Sequence, residues 1–229
     1  MENLIIIGIS TNGRHVYEFV KMYNLYNIIG FAVNSEYNTQ KEFLGLPVYD
    51  VEKLKDIKNI EFKVFVALLW NHLNRDRRNI FEYCKSQGLR FANIISPHAI
   101  IRSNSTLGQN CWLHDFVIIQ NNTHIGDNVA IMAFSLIGAN CCVGSHCFFG
   151  ARSILGGGSQ MGEQTFVGLN STIFDSTQIG DKCIIGACTV VKRNMPSYSK
   201  YITKSSDIEI KQYNKDEIED KLVFSKNHR

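Results

Sequence analysis

Seventeen large apolar residues stand six apart, from Ile95 to Val191, with no slip in register. Glycine follows ten of them directly, as at Gly108, Gly138 and Gly168. Four places after each of the first sixteen sits a small or β-branched residue, among them Cys111, Val117, Thr123 and Ser135. A fixed six-residue period is the signature of a parallel β-helix with three short strands per coil. The large residue points to the prism axis and stacks on its copies one coil away. The small residue fits where the interior narrows, so Cys111, Cys141, Cys147 and Cys183 are packing groups. Glycine is expected where a corner needs a backbone conformation costly for other residues.

Charge separates this block from its flanks. Residues 95–198 hold ten Asp, Glu, Lys or Arg residues in 104 positions. Such a block hides most of its surface, inside itself or against copies of itself. The division expected is an α/β domain over 1–94, the β-helix over 95–198, and a tail over 199–229 with a helix at Asp207–Val223. The net charge of +3 gives no footprint for nucleic acid or membrane. Leu4–Ile9 is too short and broken for a membrane span or a signal segment. Seven cysteines with no CxxC pair read as reduced thiols. A cytoplasmic protein is the expectation.

Leu4–Ser10, Asn27–Val33 and Lys63–Leu69 read as strands, and Gly13–Leu25 and Asn71–Gln87 as helices. This alternation implies a small parallel sheet. The first turn, Gly8-Ile-Ser10-Thr-Asn12-Gly13, resembles a dinucleotide fingerprint with serine at the middle glycine. A tight strand-to-helix turn explains both glycines without a ligand. The functional reading seats a nucleotide diphosphate at the helix N-terminus, with Arg14 nearby. Asn34, ending the second strand, then stands where a ribose-binding group belongs.

These features together resemble the sialic-acid O-acyltransferase-like group of sugar acyltransferases, which includes N-acyltransferases of nucleotide-linked amino sugars. The resemblance rests on Gly8-x-Ser10-x-x-Gly13, Phe43-Leu-Gly-Leu-Pro-Val48, Phe65-Val-Ala-Leu68 with Asn74 and Arg77, Ile95-Ser-Pro97, and the hexads. It implies a left-handed β-helix, a homotrimer, and a nucleotide-linked sugar bound by the α/β domain. It further implies acetyl-CoA or another acyl-CoA between subunits, with no metal. A corner histidine in the family takes the proton as the acceptor attacks the thioester. That position falls at Ala139, and its supporting neighbour at Asn140. The backbone oxyanion donor carries over to Gly157, within Leu155-Gly-Gly-Gly158. The CoA arm carries over to Gly168, Gly186 and Ala187. The family's closing Gly-x-Pro-Ala motif is absent, and Tyr201-Ile-Thr-Lys-Ser205 stands in its place.

Alanine accepts no proton, so three sources of catalysis stay open. His114, beside Asp115, lies on another corner line that reaches the site from a neighbouring subunit in family trimers. Asn121 and Asn140 stand one coil apart on the Ala139 line and can orient an amine. A neutral sugar amine needs no protein base at all. The activity expected is N-acetylation of a nucleotide-linked amino sugar for surface polysaccharide or glycan synthesis, O-antigen and lipopolysaccharide included. The alternatives are sugar O-acetylation and a non-catalytic nucleotide-sugar-binding homologue. A β-helical carbonic anhydrase needs zinc histidines closer together than those here.

Overall fold

The computed structural model describes residues 1–203. The expected helix at Asp207–Val223 lies outside the described residues. Strand β1 (Asn3–Ile7) is followed by α1 (Thr11–Tyr23) and β2 (Asn27–Val33). A short hairpin follows, β3 (Glu42–Phe43) and β4 (Leu46–Asp50), then β5 (Lys63–Val66) and α2 (Asn71–Ser86). The sheet order is β3-β4-β2-β1-β5, parallel except for the hairpin. Leu4–Ile7 are buried on both faces, which explains the unbroken aliphatic run. Sequence reading placed no strands in the hairpin, whose pattern is short and interrupted by Gly45 and Pro47.

From Ile94 the chain winds as a left-handed parallel β-helix. Up to Val191 each strand pairs in register with the strand 18 residues on, as Ile119 with Ile137 and Ile137 with Leu155; the last pair, Ile185 with Tyr201, is 16 apart. The three faces hold seven, six and five strands. From Leu113 to Val191 the hexad residues form a buried column, lined by the four small-slot cysteines. Ile101, in the first coil, is still 38% exposed, because nothing stacks beneath it.

The corner glycines have a different cause from the one expected. Among the β-helix glycines only Gly158 has a left-handed backbone (φ +70°). The left-handed corner position is the third after the large residue, held by Asn104, Asn110, Asn122, Asn128, Asn140 and Asn170 among others. Asparagine tolerates that conformation better than most residues. The glycines beside the large residue are instead pressed by the next coil. A Cβ on Gly138 would lie 2.5 Å from the Gly157 nitrogen, and one on Gly168 would lie 2.4 Å from the Ala187 nitrogen.

The seven-stranded face carries the α/β domain, with Trp112, Ala130 and Phe148 packed with Val16, Phe19 and Phe65. Polar ties reinforce the joint. Buried Arg77 donates to the carbonyls of Val66, Leu68 and Asn110. The Val66 N–H donates to Asn110 Oδ1 at 2.9 Å. The six-stranded face is bare. Its outward residues are Ile100, Ile118, Leu136, Ile154, Thr172 and Val190, with Ile100 and Val190 over 40% exposed.

Candidate active site

A cleft of about 640 Å³ opens at the C-terminal end of β1. Gly8, Ser10, Asn12 and Asn34 line it, together with Tyr37 after β2 and Asp76 on α2. Gly8 takes φ +123° and its N–H donates to the Ala32 carbonyl at 2.8 Å. A Cβ on Gly13 would lie 2.1 Å from the Gly8 carbonyl oxygen, so Gly13 lets α1 pack against the turn. Local packing therefore explains both glycines, and buried Gly13 is not among the lining residues. Arg14 also turns elsewhere, its guanidinium 5.6 Å from the centre of the Phe43 ring. What remains for an anion is the start of α1. Ser10 caps it without a side-chain hydrogen bond, and the first turn holds no acid.

The far wall of the cleft begins with a twisted entry to α2. Expected as plain helix from Asn71, the chain takes left-handed angles at Trp70, His72, Leu73 and Asn74. Asn74 holds this turn. Its Oδ1 accepts the Trp70 N–H at 2.7 Å, and its Nδ2 donates to the His146 carbonyl at 3.0 Å. Such positions cost on the order of 1–3 kcal/mol each and persist only when clamped. Tyr37, Asn71, Asp76 and Asn79 had no sequence signal as lining residues, because only the tertiary fold brings them to the cleft.

The second candidate region is the corner line between the six- and five-stranded faces. Asn121, Ala139, Gly157 and Asp175 follow one another here, 18 residues apart. Asn121 and Asn140 are exposed. Asn140 Oδ1 accepts from Asn122 Nδ2 at 3.2 Å, while its backbone N–H donates to the Asn121 carbonyl at 3.0 Å. The Gly157 N–H donates to Asp175 Oδ1 at 2.7 Å, so the expected oxyanion donor already has a partner. The cause is a recurring coil-to-coil cap. Gln109 N–H donates to Asp127 and Glu163 N–H to Asp181 in the same way. Asp175 was legible by adding 18 to 157. Gly157 nonetheless lacks the local reasons its neighbours have. Its φ is not left-handed, and a Cβ there would meet nothing nearer than 3.3 Å.

His114 sits beneath α1, not on an open corner. Its ring lies 4.7 Å from Phe19, 5.5 Å from Trp112 and 5.6 Å from His15, centre to centre. Burial pushes its pKa down, against the pull of Asp115, so the ring is held neutral. Asp115 is 3.7 Å away and engaged elsewhere, accepting from Ser96 Oγ at 2.5 Å and Tyr23 at 2.8 Å. Those two hydrogen bonds outweigh burial and keep the Asp115 pKa low. His114→Ala is therefore expected to cost stability, about 1–3 kcal/mol from the vacated aromatic site. The rate of acyl transfer should fall about tenfold at most. Loss of a general base costs on the order of 10²–10⁴-fold. A loss in that range with an intact fold would make His114 the base.

Of the residues expected along the CoA arm, Gly168 is buried, Gly186 half-buried and Ala187 exposed. All three lie on the corner between the seven- and six-stranded faces. That corner also exposes Phe116, Phe134 and Leu169. Among the described residues there is no cluster of three or more His, Cys, Asp or Glu side chains suited to a metal ion. None of the helices among them is long and apolar enough to cross a membrane.

Residues 104–139 and 122–157 match the family described as bacterial transferase hexapeptide (six repeats), and 161–193 match the hexapeptide repeat of succinyl-transferase. The structure is similar to perosamine N-acetyltransferase from Caulobacter crescentus, with a TM-score of 0.79 and 25% identity over 92% of this chain and 98% of that one. In its repeats and its fold the chain is similar to the hexapeptide-repeat acyltransferases. That similar structure is a variant with one histidine replaced by asparagine, in complex with CoA and GDP-perosamine. A second variant of the same enzyme, with alanine in place of the histidine, holds the same two ligands. The acetyltransferase domain of PglB from Neisseria gonorrhoeae, in complex with acetyl coenzyme A, shares the fold at a TM-score of 0.77. It is 21% identical over 88% of this chain and 96% of its own. WeeI from Acinetobacter baumannii shares the fold at 0.76, 18% identical over 89% and 97%. No curated protein sequence matches the chain. Against the resemblance read from the sequence, the position that matters for chemistry is Ala139.

Proposed function

We propose that the protein transfers an acyl group, acetyl first among them, from acyl-CoA to the amine of a nucleotide-linked amino sugar. The observation that carries this is the Ala139 corner. It offers no ionisable side chain where a proton acceptor is expected, yet Gly157 is bare one coil away, where neither a left-handed φ nor a Cβ contact under 3.0 Å demands glycine. A hydroxyl acceptor needs a base far more than an amine does, because its pKa is far higher. A neutral amine needs positioning, which can supply roughly 7–11 kcal/mol of barrier reduction. In this reading Asn121 and Asn140 orient the acceptor. The amine nitrogen attacks the thioester carbonyl, the C–S bond breaks, and the amine proton passes to the CoA thiolate or to water. The Gly157 N–H serves the developing oxyanion once exposed Asp175 turns to solvent. The nucleotide end occupies the cleft at α1, and the CoA arm follows Gly168, Gly186 and Ala187. Two variants of the similar perosamine enzyme hold both ligands with a histidine removed, which supports ligand capture without such a side chain.

The proposal includes a homotrimer closed through the six-stranded face. That face is an apolar ladder flanked by the Ala139 line on one side and the Phe116 line on the other. Rotational closure brings the two lines together, so each site spans two copies. The acylated product would feed surface glycan assembly, O-antigen included, from cytoplasmic pools of acyl-CoA and nucleotide sugar.

The test is release of the CoA thiol from acetyl-CoA with a panel of nucleotide-linked 4-amino sugars and their hydroxyl counterparts. Release that depends on the amine is expected. Equal or faster release with the hydroxyl compounds contradicts amine acylation. Binding of both ligands with no release identifies a homologue that binds without reacting.

A further inference from the structure

Asp76 is the only carboxylate among the described residues lining the cleft; the others are amides, hydroxyls, aliphatics and the buried Arg77. Its place follows from topology. β2 and β5 lie on either side of β1, so the segments after them flank the β1–α1 turn. Tyr37 comes from the β2 side and is 66% exposed; Asp76 comes from the β5 side. Both side chains line the same cleft, one from each side of the β1–α1 turn. Asp76 Oδ2 lies 3.1 Å from His72 Nδ1, and Oδ1 lies 3.6 Å from Arg75 Nε. His72 and Arg75 flank the carboxylate, and both its oxygens keep lone pairs for another donor.

We infer that the cleft selects a guanine nucleotide, with Asp76 accepting the paired ring N–H and exocyclic amine and Tyr37 giving the base a stacking face. This rests on the nucleotide reading of the cleft proposed above. A carboxylate offers two parallel acceptors, and guanine offers two parallel donors on its pairing edge. Uracil and thymine present one N–H between two carbonyls, so one carboxylate oxygen would oppose a carbonyl. Adenine and cytosine set an amine beside a ring acceptor, which an amide such as Asn79 suits and a carboxylate does not. Exposed aromatic side chains stack on nucleobases with little regard to sequence, so Tyr37 adds affinity and Asp76 adds choice.

Calorimetric titration of the full chain with GDP, IDP, ADP, UDP and dTDP tests this. GDP should bind on the order of tenfold or more tightly than any of the others. IDP, which differs from GDP only by the missing exocyclic amine, should lose most of that advantage. Asp76→Asn should erase the preference for GDP, with UDP affinity unchanged or higher because the amide no longer sets an oxygen against a uracil carbonyl. UDP or dTDP binding as tightly as GDP overturns the inference, and so does IDP matching GDP. The IDP comparison uses the unaltered protein, so it stands whatever the variant does to folding. Failure of all five nucleotides overturns the nucleotide reading of the cleft itself, a result distinct from binding without preference.

Discussion

Gly157→Val is expected to lower CoA release by about a hundredfold or more, the size seen when an oxyanion donor is lost, while the fold survives. Its Cβ would meet the Ala139 carbonyl oxygen at 3.3 Å and no backbone atom closer. The added methyl groups would compete for the space assigned to the thioester. Gly138→Ala, one coil earlier, is the contrasting variant. Its single methyl would lie 2.5 Å from the Gly157 nitrogen, against a coil that is hydrogen-bonded on both sides. Overpacking of that kind costs about 1–3 kcal/mol and lowers the melting temperature by roughly 2–10 °C. Thermal melting and thiol release, measured on both variants, should therefore separate them in opposite directions. Unchanged turnover in Gly157→Val removes the thioester from this corner. Asp175→Ala complements the pair. It frees the Gly157 N–H, so turnover should hold or rise. A fall of 10²–10⁴-fold would instead make Asp175 the proton acceptor.

Ile154→Lys is expected to break the assembly into single chains and abolish acyl transfer. Ile154 stands mid-ladder on the six-stranded face, between Leu136 and Thr172, and is 37% exposed in the isolated chain. Around a three-fold axis the substitution enters three times. Each lysine would be buried against apolar neighbours without a carboxylate, at a cost of several kcal/mol per charge. On the outward side of the five-stranded face, Gln160→Lys should change nothing, because that face carries Thr106, His124, Cys142, Gln160 and Gln178 and needs no cover. Sedimentation velocity reads both variants. An Ile154→Lys protein that sediments like the unaltered one would place the interface elsewhere.

The β-helix was legible because every coil repeats one packing problem, so the same residue types return 18 positions later. Ile137, Leu155 and Ile173 answer it identically, and Cys141 and Cys183 fill the same narrow slot. The pattern showed where glycine recurs but not why. Coil spacing accounts for Gly138 and Gly168, and asparagine, not glycine, is the commonest residue at the left-handed corners. The cleft was half legible. Gly8, Ser10, Asn12 and Asn34 sit next to strand ends, where local sequence points. Asp76 and Tyr37 meet only because β2 and β5 flank β1, which no short motif records. The surroundings of His114 were hidden for the same reason. The hexad count placed it on a corner, but α1 folds over that corner and closes it with Phe19 and His15.

The pH dependence of kcat/KM for CoA release, measured with two nucleotide-linked amino sugars whose amines differ in pKa, tests the central claim most directly. With Ala139 at the corner and the acceptor supplying its own neutral nitrogen, the rate should rise with pH and level off at the pKa of the amine. The midpoint should then move with the acceptor by the full difference between the two amines. A midpoint that stays fixed while the acceptor changes would belong to a protein group, and would contradict transfer without a side-chain base.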